Sequence, residues 1–115
     1  MRNFNRTQIV MVDLGESPNQ IVGHEQANQR PCLIIQTLDF SKLAVVIPFT
    51  SKQPNSLIYS IVKIQKNTGG LTLDSFALCH QIRSVSFHRI VGTVGNLPER
   101  EFNKVLMVLT DFLGI

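Results

Sequence analysis

The sequence predicts a mainly β domain: a small curled antiparallel sheet, or a barrel, with one helix packed on it at the C-terminal end. Short runs rich in Val, Ile and Phe recur from Gln8 to Val94, punctuated by loops that carry Gly, Pro, Asn and Ser. Helical spacing of apolar residues comes last, at Phe102, Val105, Leu106, Leu109, Phe112 and Leu113. The 115 residues are 43% apolar and 17% charged, which suits one globular domain spanning 1–115.

Gln8 to Leu14 is rich in β-branched residues and reads as the first strand. A long polar loop follows from Gly15 to Asn28, broken by Gly15, Pro18 and Gly23. Pro31 to Thr37 is almost continuously apolar, the pattern of a buried strand. Asp39 to Lys42 reads as a turn, and Leu43 to Phe49 as a third strand whose Pro48 marks an edge or a strand end. After a loop from Thr50 to Ser56, a fourth strand is expected over Leu57 to Ile64. Gln65 to Gly70 is a second loop, ending in Gly69-Gly70. Phe76 to Val85 reads as one continuous fifth strand, and Arg89 to Val94 as a sixth, closed by Gly95. Asn96 suits a helix cap, with Pro98 in the first turn and Glu99 completing a capping box. Gly114 ends the helix. Met107 and Val108 fall off the apolar stripe, so the helix is expected to be covered on more than one side.

Composition narrows the function classes. The longest apolar run is far too short to span a membrane, and Ile9 to Leu14 is interrupted by Asp13 and lacks a signal-peptide core. A cytoplasmic protein without a membrane partner is expected. Cys32 and Cys79 sit inside apolar runs and read as buried free thiols. No Cys/His spacing suggests zinc, and His24, His80 and His88 form no i,i+4 pair, so no metal or other cofactor is expected. Net charge is +3, unevenly spread: from Phe40 to Pro98 the one acidic residue is Asp74, against Lys42, Lys52, Lys63, Lys66, Arg83 and Arg89. A basic middle fits a polyanion such as RNA, or is simply a solvated surface.

Cleaving RNA without a metal needs a base for the 2′-OH proton, an acid for the leaving 5′-oxygen, and donors for the crowded phosphorane. Arg30 is permanently charged and matches phosphate oxygens bidentately, so it suits charge stabilisation. Its plainer reading is a surface arginine closing a loop before Pro31. Thr50 and Ser51 follow a strand and can donate hydroxyl hydrogen bonds to a phosphate, or serve turn chemistry. His24 titrates near neutrality and can act as acid, base or phosphate donor, or be merely solvated. Glu25 can orient a cation, and Gln26 can read a base edge. His80, Gln81 and Arg83 fall on the expected fifth strand, where alternation puts Gln81 and Arg83 on one face and His80 on the other. From spacing alone, His80 reads as a polar residue near a dimer seam.

Taken together, Val-Asp-Leu-Gly at 12–15, Gly-His-Glu-Gln at 23–26, Arg30-Pro31, Ile-Pro-Phe-Thr-Ser at 47–51, Gly-Leu-Thr-Leu-Asp-Ser at 70–75, Gln-Ile-Arg-Ser-Val at 81–85, Arg89 and Gly95 resemble the MazF/PemK family of toxin ribonucleases. Each piece alone is weak; in register over nearly the whole chain they are specific. The resemblance implies an SH3-like barrel with a C-terminal helix and a homodimer. It also implies metal-independent cleavage of single-stranded RNA, mostly messenger RNA, at short motifs, leaving a 2′,3′-cyclic phosphate and a 5′-hydroxyl. A labile antitoxin would block the site, the complex also binding DNA. By position, Arg30 and Thr50 match the arginine and threonine central to catalysis, and Gln81 and Arg83 match residues lining the RNA site. Two positions depart from the pattern. His80 stands where most relatives are acidic, and Met11 where tryptophan is common. The long loop from Gly15 to Gln29 keeps the cleavage motif from being carried over. The competing readings are a non-nuclease module of the same architecture, such as a CcdB-like gyrase poison, or a catalytically silent RNA- or antitoxin-binding relative. A gyrase poison has no need of the loop pair carrying Arg30 and Thr50.

Overall fold

A computed structural model describes residues 3–15, 29–54 and 59–115. Among the described residues, seven strands run as β1 Gln8–Asp13, β2 Gln29–Leu38, β3 Leu43–Thr50, β4 Ile61–Ile64, β5 Ser75–Leu78, β6 Arg83–Ser86 and β7 Ile90–Asn96, before the helix α1 Glu99–Leu113. Every pairing is antiparallel. The order across the sheet is β4-β5-β3-β2-β1-β7, with β6 alongside β3. The path ends at β4 and at β7, so the sheet is curled but not closed into a barrel.

The strands at the centre are apolar on both sides because both faces are covered. Ile9, Leu33, Ile47, Phe49 and Ile64 join Phe102, Val105 and Leu109 of α1 in one core. On the other side, Val10, Val12, Cys32, Ile34, Val46 and Val85 pack with Phe4 and Ile90. Alternation along β2 does the sorting: Leu33 turns to the helix side, and Cys32 and Ile34 turn away from it. This double burial explains the unbroken apolar character of the β2 and β3 sequences.

Three local expectations need correction. The expected single strand from Phe76 to Val85 is two strands, β5 and β6, separated by a 3₁₀ turn at Cys79–Gln81. Both pieces pair with β3, at opposite ends of it. The turn inserts residues between two registers on one partner, and no Gly or Pro announces it. Among the described residues of the expected strand Leu57–Ile64, Ile61–Ile64 is extended. Tyr59 and Ser60 form a turn whose Ser60 carbonyl accepts the Cys79 N–H at 3.0 Å, and Leu57 lies outside the described residues. The helix lacks the expected capping box. Asn96 stays in β7 opposite Gln8, and Pro98 occupies the cap position without a side-chain bond. Gly114 ends the helix at φ +78°, the left-handed conformation expected of it.

Candidate functional site

Arg30 and Thr50 stand together at one end of the β2–β3 pair. The final pair of that ladder is Cys32 opposite Pro48. Each of the two residues lies two positions beyond it, so alternation puts both on the same side as Cys32 and Pro48. The sequence placed both in loops; both are instead in strands. Arg30 is paired with Val12 of β1, and Thr50 with Phe76 of β5. Each backbone is held by one paired strand, which a loop would not provide.

Arg83 joins them from β6, where it is paired with Val46, itself opposite Ile34. Directly paired residues share a face, so Arg83 lies on the Cys32 side as well. Cys32 is fully buried. Burial pushes its thiol up to about 12, while the nearby Arg30 and Arg83 guanidiniums pull the other way. Both cations act electrostatically on one buried sulfur, which stays neutral at physiological pH and gives them no counter-charge. Among the described residues, no ion pair engages either arginine. Cys79, the second free thiol, is also buried and raised to about 11, chiefly by desolvation.

Thr50 has one turn contact: its Oγ1 accepts the Lys52 N–H at 3.2 Å. Accepting that bond leaves the hydroxyl proton free to donate outward. Ser51 is exposed next to it. His80 and Gln81 lie on the 3₁₀ turn, not on a strand, so strand alternation does not place them. That turn packs against α1, β3 and β4. The His80 Nδ1 lies 2.9 Å from the hydroxyl of Ser60, a buried residue. The bond holds the ring and leaves Nε2 for proton exchange. His24, Glu25 and Gln26 lie outside the described residues.

Sequence reasoning missed one contact at this end of the sheet. Arg89 Nη1 donates to the Asp13 carbonyl at 3.3 Å, across 76 positions of sequence. No local pattern signals a bond of that span.

The sequence pattern of the PemK-like, MazF-like toxins of type II toxin–antitoxin systems matches residues 5–113. Endoribonuclease EndoA of Bacillus subtilis is 31% identical over 88 residues, covering 74% of this chain and 76% of that protein. Among solved structures, a mycobacterial endoribonuclease in complex with its cognate antitoxin superposes with a TM-score of 0.73 at 18% identity, covering 96% of this chain and 94% of that one. MazF from Deinococcus radiodurans gives 0.72 at 20% identity, covering 96% of each chain.

Proposed function

The chain belongs to the PemK-like, MazF-like toxins of type II toxin–antitoxin systems, and on that premise we propose that it is an endoribonuclease whose cleavage centre is the Arg30–Thr50 end of β2 and β3. The observation that carries the reading is the placement of Arg30, Thr50 and Arg83 on one face around the neutral Cys32. Two guanidiniums and a hydroxyl donor there suit the three non-bridging and departing oxygens of a phosphate in transit.

The substrate is single-stranded RNA, messenger RNA above all. The 2′-oxygen attacks the adjacent phosphorus as its proton passes to a base, and the bond to the 5′-oxygen breaks as an acid protonates it. The products are a 2′,3′-cyclic phosphate and a 5′-hydroxyl. Arg30 holds the non-bridging oxygens bidentately, and Thr50 donates to the same phosphate. Arg83, with Ser51, Gln81, Glu25 and Gln26, lines the RNA path. His24 and His80 are the proton carriers. With Nδ1–H donating to the Ser60 hydroxyl, the neutral ring offers the Nε2 lone pair as base, and the imidazolium offers its Nε2 proton as acid.

The working form is a homodimer in the cytoplasm, inhibited by a cognate antitoxin. Support for pairing comes from α1, where Met107 is 71% exposed and Leu113 is exposed as well, and from Ile115 just past it, apolar surface left in water. Among the described residues no helix is long and apolar enough to cross a membrane.

The test is to incubate the purified protein with a mixed RNA pool in EDTA and map the new ends. Ends clustered at one short motif are expected. A pool left intact would reject the assignment.

A further inference from the structure

Two polar side chains are buried among the described residues, Ser60 and Ser75. Ser75 uses its hydroxyl locally, donating to the Leu73 carbonyl at 2.9 Å, which is turn chemistry. Ser60 reaches twenty positions along the chain instead: its Oγ lies 2.9 Å from His80 Nδ1. Its carbonyl accepts the Cys79 N–H at 3.0 Å, one residue before that ring. The register of β4 on β5 sets up both contacts, because Ile61 pairs with Leu78 and one step further out Ser60 meets Cys79. Cys79 is anchored in the helix-side core, so the backbone of the 3₁₀ turn is held there. The Ser60 hydroxyl then settles the remaining freedom, the rotation of the His80 ring. Among the described residues no hydrogen bond uses Nε2 of that ring.

We propose that Ser60 is a positioning residue for RNA cleavage: its hydroxyl accepts the Nδ1–H of His80, sets the orientation and tautomer of the ring, and so keeps Nε2 as the atom where a proton enters or leaves. That role rests on the reading that His80 carries a proton in the reaction. The direction of the bond follows from what the reaction requires. The neutral ring with its proton on Nδ1 and the imidazolium both present Nδ1–H to Ser60 Oγ, so the bond survives each transfer at Nε2. With the hydroxyl as donor, Nε2 of the neutral ring would already be protonated and would have no lone pair to offer. Burial suits the role, because little solvent competes with Ser60 for the ring nitrogen.

The experiment measures kcat and KM on one mapped RNA oligonucleotide, with a thermal melt of each protein. It compares wild type, Ser60→Ala, Ser60→Cys, His80→Gln and the double variant of Ser60→Ala with His80→Gln. Ser60→Ala is expected to lower kcat by about 10-fold with KM little changed, since the ring stays present but loses its aim. Ser60→Cys keeps the volume and weakens the bond, so its kcat should fall as well. Cysteine carries the test, and the double variant, where Ser60→Ala fails to fold. His80→Gln is expected to lower kcat by about 100-fold. In the double variant, loss of the Ser60 hydroxyl should add nothing to the loss of His80, because a residue that acts through the ring has no effect without it. Wild-type kcat in folded Ser60→Ala or Ser60→Cys would overturn the proposal, as would two losses that multiply in the double variant. His80→Gln cutting at the wild-type rate is a different result, and rejects the proton-carrier reading beneath it. A wild-type protein that leaves RNA intact rejects the nuclease reading itself.

Discussion

Replacing Arg30 by alanine is expected to slow cleavage of a mapped RNA site by about 100-fold or more, the scale of losing one donor aimed at developing oxyanion charge. The side chain is half-buried, on a strand residue held opposite Val12, so its aim is set before RNA arrives. Arg30→Lys should restore the activity only in part, since an ammonium keeps the charge but cannot make the bidentate contact. Stability should change little. Among the described residues no ion pair or hydrogen bond uses the guanidinium, and the backbone bonds of β2 survive the change. Initial rates on one oligonucleotide, with a thermal melt of each variant, check both statements. Wild-type cleavage by Arg30→Ala would remove this end of the sheet from the chemistry.

A large effect on folding is expected at Gly95. It lies inside β7, where the loop carrying Gly69 and Gly70 crosses the strand. A Cβ at Gly95 would stand 2.3 Å from the Gly69 carbonyl oxygen and 2.8 Å from the Gly69 carbonyl carbon. Both neighbours are backbone, so neither can swing aside as a side-chain tip would. The chain must move, and Gly69 in turn packs against Ile9 and Leu97 of the helix-side core. Gly95→Ala should therefore cost about 3 kcal/mol or more, as overpacking against a rigid neighbour does. Denaturant unfolding checks this. Gly114→Ala is the contrast: nothing lies within 4 Å of its Cβ position, so only the left-handed φ of +78° is penalised, by about 1 kcal/mol.

How much the sequence revealed follows from where each signal resides. The turn at Asp39–Lys42, the strands β1 to β3 and the helix were legible because alternation, β-branching and helical spacing are local. The division of Phe76–Val85 was not, because it is imposed by β3, which takes β5 at one end and β6 at the other. The capping box at Asn96 failed for a similar reason: its backbone is committed to pairing with Gln8, and Leu97 N–H donates to the Thr7 carbonyl. The sequence set Arg30 and Thr50 beside apolar runs but in loops, and the strands proved to extend through both. Cys32 was read correctly as a buried thiol, but the sharing of its sheet face with Arg83 depends on the register of β6 against β3. The Arg89–Asp13 bond has no sequence signature at all, since only the pairing of β1 with β7 brings the two residues together.

The central claim is that the Arg30–Thr50 end cleaves RNA by using the substrate's own 2′-hydroxyl as nucleophile. The most direct measurement takes a mapped RNA oligonucleotide and replaces the single ribose 5′ to the scissile phosphate by 2′-deoxyribose. Its cleavage is then compared with that of the unmodified strand. The account predicts that the unmodified strand is cut and the substituted strand stays intact, because no internal nucleophile remains. Cleavage of the substituted strand at the same bond would contradict it.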